Sequence, residues 1–130
     1  MIVVTLDTGA LVAMERQKSR GTMLLRAARE HRAQLLAITP VVAEWWRGRS
    51  DVRDRIKLAV TPVPFPIRAA EAAGVVLGQI RGEKARARLC VDVMVMGFAA
   101  TYGGALVYTS DTGDLQRLTR YFPEVRVLGV

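Results

Sequence analysis

The stretch ALVYTSDTGDLQRL, residues 105–118, decides how the chain is folded. It opens as an apolar run, passes two hydroxyls at Thr109 and Ser110, and stops at Asp111, with Asp114 three places on. An unbroken apolar run of this length predicts a strand buried on both faces. DTGDLQRLTRYF predicts the helix that follows, with Asp111 as a possible N-cap and Asp114 in the first turn, where the helix dipole favours negative charge. The N-terminus has the same order: MIVVTL is a short β-branched run, Asp7 ends it, and TGALVAMERQ predicts a helix capped by Thr8.

Between these two ends the pattern alternates. GTMLLRAAREHR (21–32) has apolar residues at helical spacing with arginines on the opposite side, so it predicts an amphipathic helix. AQLLAIT (33–39) predicts the second strand. TPVVAEWWRG (39–48) predicts a helix with Thr39 as N-cap, Pro40 at the first helical position and Gly48 as its stop. SDVRDRIKLAV (50–60) predicts a short charged helix, and the prolines of TPVPF (61–65) confine any strand there to an edge or a brief run. PIRAAEAAGVVLGQIRG (66–82) and EKARARLCVDVMVMGFAATYG (83–103) predict two further helices, the second apolar on every side in its latter half and therefore interior. EVRVLGV closes with a short strand. Strands alternating with helices imply an α/β domain over residues 1–130, with a mostly parallel sheet of four to five strands and helices on both faces.

Length and composition agree. A chain of 130 residues fits one domain, and its 51% apolar content fills a core without a disulfide or structural metal. Cys90, the single cysteine, reads as a small buried hydrophobe, and such cysteine usage fits a reducing, cytoplasmic compartment. No secretory signal is expected, because Asp7 cuts the first apolar run short. Residues 93–110 carry no charge, but TYGG (101–104) interrupts them, so a helix followed by a strand is expected and not a membrane span. Lys and Arg number 19 against 12 acids, for a net charge of +7, and 16 of the bases are arginine. Such a surplus suits a polyanion or an acidic protein partner.

Ligands of an open parallel sheet bind beyond the carboxyl ends of its strands. Asp7 and Asp111 stand at two such ends, so they are expected to face one crevice. Glu44 lies among Val41, Val42, Ala43, Trp45 and Trp46, two places past the capping-box position. Asp92 lies among Leu89, Cys90, Val91, Val93, Met94 and Val95, where a carboxylate is costly unless paired or bound to a cation. Each acid also has a plainer structural reading: Asp7 as a turn residue or cap, Asp111 as a cap with Asp114 in the first turn, Glu44 on an exposed helix face, Asp92 solvated at a helix start or paired with an arginine. Gathered carboxylates need a cation or shared protons, and an oxygen-only set selects Mg²⁺ or Mn²⁺. A phosphodiesterase reaction follows in a chain that is basic elsewhere. Other chemistries lack their residues. His31 is the single histidine, which excludes a two-histidine nuclease and a histidine-rich zinc site. There is no P-loop and no GxGxxG. Gly9 stands where a haloacid-dehalogenase-type phosphatase carries its second aspartate, and no lysine follows a late strand as in a response-regulator receiver.

Taken together, VVTLDTGALVA (3–13), ITPVVAEWWRG (38–48), LCVDVMVMGFAA (89–100) and VYTSDTGDLQRL (107–118) resemble the PIN-domain ribonucleases, and among them the VapC-type toxins of toxin–antitoxin pairs. The resemblance covers nearly the whole chain in order. It implies a PIN-like three-layer α/β/α domain and an endoribonuclease with an acidic centre of Asp7, Glu44, Asp92, Asp111 and Asp114. Asp7 and Asp92 would be the principal ligands of Mg²⁺ or Mn²⁺, joined by Glu44 and Asp111, with Thr8, Thr109 and Ser110 as polar support. The Thr112–Gly113 pair departs from relatives that carry proline or another acid there, which bears on the place of Asp114. The resemblance further implies a homodimer, a cognate antitoxin over the active site, and an RNA backbone held by basic surface. Arg47, Arg49, Arg81, Arg86 and Arg88 flank the helices bearing Glu44 and Asp92 and are the candidates for that surface. Trp45 and Trp46 are expected to pack in the core or at a dimer interface, with base stacking as the other use.

Two other classes stay open on the sequence. A non-catalytic nucleic-acid- or partner-binding module would bind RNA without turnover and ignore divalent ions. A metal-dependent phosphatase would act on small phosphate esters in place of RNA.

Overall fold

The structure, a computed structural model, describes residues 2–16, 19–46, 56–57 and 59–129. Arg47, Arg49 and most of the helix expected over 50–60 lie outside the described residues. In chain order the elements are β1 (Val3–Leu6), α1 (Thr8–Glu15), α2 (Ser19–Glu30), β2 (Gln34–Ile38), α3 (Thr39–Trp45), β3 (Thr61–Val63), α4 (Ile67–Gln79), α5 (Glu83–Thr101), β4 (Leu106–Thr109), α6 (Thr112–Leu118) and β5 (Arg126–Gly129).

The sheet order is β3-β2-β1-β4-β5, and every neighbouring pair is parallel. The expected sheet is thus present with five strands, wholly parallel, and TPVPF supplies its edge. The chain runs one way across the sheet from β1 to β3 and the other way from β4 to β5; because parallel connections are as a rule right-handed, this places helices on both faces. On one face α1 packs with α2 and α3; on the other α5 packs between α4 and α6. The order reverses between β1 and β4, which puts the crevice of the sheet at their carboxyl ends.

The central strands β1, β2 and β4 are buried because their residues are apolar on both faces: Val4, Leu6, Leu35, Ala37, Ile38 and Val107 are all in the core. The second half of α5 runs inside the molecule, with Val93, Val95, Met96, Phe98 and Ala99 buried, as its all-round hydrophobicity predicts. Among the described residues no helix is long and apolar enough to cross a membrane; the uncharged stretch divides into the end of α5 and β4. Gly104, with φ 74°, makes the turn into β4, and a Cβ there would lie 3.0 Å from the Val3 carbonyl oxygen. This close approach lets β4 lie beside β1.

Three local expectations are corrected. Asp7, not Thr8, caps α1, its Oδ1 accepting from the Ala10 N–H at 2.8 Å. Thr39 is the first residue of α3, not its cap, and its hydroxyl accepts from the Phe65 N–H at 3.3 Å. Cys90 is half-buried, not enclosed. Trp45 is in the core, and its indole N–H donates to Glu15 at 3.1 Å. Trp46 is 40% exposed, edge-on to Trp45, with the Lys57 ammonium 5.0 Å from its ring centre.

Candidate metal centre at the carboxyl edge of the sheet

β1 ends at Leu6, so Asp7 is the first residue past the sheet. It is only 7% exposed. Both carboxylate oxygens are engaged: Oδ1 by the Ala10 amide, Oδ2 by the Thr109 hydroxyl at 2.5 Å. Thr109 is the last residue of β4, so this bond joins the two strands across the switch in strand order. The same hydroxyl accepts from the Asp111 N–H at 3.1 Å and thereby fixes the turn into α6. Asp111 then caps α6 through Gly113 N–H at 3.1 Å. On the other side of Asp7, the Thr8 hydroxyl donates to Glu44 Oε1 at 2.6 Å and ties α1 to α3. A side chain at Gly9 would place its Cβ 2.5 Å from the Ser110 hydroxyl, so glycine permits the tip of α1 to close against the β4 end.

The acids feel one another. Burial pushes the Asp7 carboxyl up from its ordinary 3.8 to about 6; the bonds from Thr109 and Ala10 oppose that rise, and the charges of Glu44 and Asp111 add to it. Half-buried Asp92, on α5, is likewise pushed up to about 6, first by burial, then by the charges of Asp7, Asp114 and Glu44, with Arg88 opposing. All five acids singled out in the sequence therefore share one electrostatic neighbourhood. They come from the end of β1 (Asp7), α3 (Glu44), α5 (Asp92), the cap of α6 (Asp111) and its first turn (Asp114). Among them the Asp92 side chain alone makes no hydrogen bond to a described residue.

The acids do not form a ready-made cage. Among the described residues no group of three or more His, Cys, Asp or Glu side chains is arranged to hold a metal ion. Glu44 instead accepts from Thr8, Asp111 from its own helix, and Asp114 faces two arginines. Arg88 donates to Asp114 Oδ2 at 2.7 Å, and Arg117 stands 3.6 Å from Oδ1. Of the other proposed RNA contacts, Arg81 and Arg86 are exposed, and Arg86 spends one N–H on the Ile80 carbonyl at 3.0 Å. The pairing of Arg88 and Arg117 with Asp114 was missed in the sequence. The available signal was spacing: Arg88 is one turn before Asp92 on the same helix face, and Arg117 one turn after Asp114.

No protein-family model matches the sequence, and no curated protein is similar to it in sequence. The shape is more informative. A chain of the crystal structure of VapBC2 from Rickettsia felis bound to a DNA fragment from their promoter superposes with a TM-score of 0.69, covering 100% of this chain and 99% of that one. The fold is PIN-like. At 15% identity the likeness is one of architecture, and it matches the five-stranded parallel sheet between two helical layers described above.

Proposed function

We propose that the chain is the toxin of a toxin–antitoxin pair and acts as a Mg²⁺- or Mn²⁺-dependent endoribonuclease at the carboxyl edge of its sheet. The observation that carries this reading is the gathering of Asp7, Glu44, Asp92 and Asp111 into one neighbourhood at the strand-order switch of a chain with net charge +7, where the charge of Asp7 adds to the rise of the Asp92 carboxyl. The likeness in fold to a chain of the VapBC2 structure supports it.

The donor set fits a hard dication. It is oxygen-only, its members repel one another, and Asp92 has no hydrogen-bond partner among the described residues. Mg²⁺ is commonly held by one or two carboxylates and keeps several waters. Asp7 and Asp92 would hold the ion, joined by Glu44 and Asp111. Bound there, the ion supplies an acidified water and offsets charge on a phosphoryl oxygen. The chain's own groups do the positioning: the Ala10 amide and Thr109 hydroxyl fix both oxygens of Asp7, and Thr8 fixes Glu44. Exposed arginines, Arg81, Arg86 and Arg88 among those described, would meet the RNA backbone. A homodimer, an antitoxin that covers the acidic edge and a cytoplasmic setting belong to the same reading.

The test is cleavage of RNA by the purified chain. Mg²⁺ or Mn²⁺ should support cleavage, EDTA should abolish it, and Asp92→Asn should be inactive while still folded. Salt-sensitive RNA binding without cleavage under any divalent ion would replace this reading with that of a non-catalytic binding module.

A further inference from the structure

Asp114 resembles a fifth acid of the centre when read from the sequence, yet both of its oxygens face guanidinium groups. Arg88 holds Oδ2 at 2.7 Å and Arg117 lies 3.6 Å from Oδ1. A carboxylate engaged from both sides by fixed cations is a poor ligand for a further cation. The arginines gain more than the acid does. Arg88 is 58% exposed and Arg117 81%, so most of their five N–H donors each remain open to solvent. Two positive groups around one negative group leave one net positive charge, held beside the acids and on the same face of α5 as Asp92.

We propose that Arg88 is a substrate-binding residue that grips an RNA phosphate next to the acidic centre, and that Asp114 is its positioning residue and not a metal ligand. The proposal rests on the ribonuclease reading for its substrate and stands on the ion-pair geometry for its roles. Arginine suits the task because its planar fork can keep one edge on Asp114 and present another to a phosphate. Without Asp114 the long side chain keeps its charge but loses its orientation. An exposed ion pair contributes little to folding, so the substitutions below should leave the fold in place.

The experiment compares wild type, Arg88→Gln, Asp114→Asn, the double variant and Arg88→Lys. Binding of a single-stranded RNA is measured in EDTA across a salt series. Steady-state cleavage is measured in Mg²⁺, and Mn²⁺ affinity by calorimetry. Arg88→Gln should lower the slope of log affinity against log salt by about 0.7, the loss of one phosphate contact on a single strand. It should also lower kcat/KM roughly tenfold. Arg88→Lys should restore the slope but only part of kcat/KM. Asp114→Asn should leave the slope unchanged, shift Mn²⁺ affinity by less than about tenfold through the lost charge near Asp92, lower kcat/KM several-fold, and have no further effect on kcat/KM in the Arg88→Gln background. A loss of Mn²⁺ affinity of more than about a hundredfold in Asp114→Asn, beyond the cost of losing an outer-shell partner, would overturn the proposal by making it a ligand. So would equal losses from Asp114→Asn with and without Arg88, or an unchanged salt slope in Arg88→Gln. If the wild-type chain cleaves nothing, the ribonuclease reading fails, and the salt slope in EDTA still decides whether Arg88 meets a phosphate.

Discussion

Asp7→Asn should stabilise the metal-free protein at neutral pH. The carboxyl of Asp7 has an ordinary value of 3.8 and stands at about 6 in the fold. The folded chain therefore binds this proton more tightly than the unfolded chain, so stability is fullest below 3.8 and falls as pH rises through about 6. At 1.36 kcal/mol per pH unit the ionised acid costs about 3 kcal/mol at pH 7. Asparagine removes that cost without opening the network. Its carbonyl oxygen can accept from the Ala10 N–H. Its amide can donate to the Thr109 hydroxyl, which then donates to the Asp111 carbonyl 3.0 Å away. A gain of about 2–3 kcal/mol corresponds to roughly 6–10 °C in Tm for a domain of this size. Thermal unfolding in EDTA, followed by circular dichroism from pH 4 to 8, should show the gain at pH 7–8 and almost none at pH 4. A variant less stable than wild type at pH 7, or a gain that does not depend on pH, would refute this account of Asp7.

Thr5→Val should raise stability by about 1 kcal/mol in urea unfolding, because the Thr5 hydroxyl is buried without a partner among the described residues; a loss would mean that the hydroxyl is satisfied. Thr109→Val should lower stability by about 1–2 kcal/mol at pH 7, since it strips a hydrogen bond from ionised Asp7 and from the Asp111 amide, and it should push the Asp7 carboxyl higher still, visible by NMR titration. Mn²⁺ affinity should climb as pH rises through about 6, as Asp7 and Asp92 ionise, and a flat profile from pH 5 to 8 would exclude both as ligands.

Much of the architecture was legible because it rests on pattern. MIVVTL, AQLLAIT and ALVYTS are unbroken apolar runs that only buried strands accommodate, and the uniformly apolar end of α5 admits only an interior helix. The ends of elements were less legible. Asp7 displaced Thr8 as cap of α1 because the Thr8 hydroxyl is taken by Glu44, a partner 36 residues away that no local rule reveals. Thr39 was displaced in the same way, through a bond to Phe65. Asp7, Glu44, Asp92 and Asp111 could be singled out because strand ends and apolar surroundings mark them. Their separation into free and engaged carboxylates could not, since it depends on side chains such as Thr109, Arg88 and Arg117 that meet them only after folding.

Anomalous diffraction at the manganese edge from crystals soaked in Mn²⁺ tests the central proposal most directly. A single strong peak bridged by the carboxylates of Asp7 and Asp92, and absent in Asp92→Asn crystals, is the expected result. A peak elsewhere on the molecule, or none at these two acids at neutral pH, would contradict it.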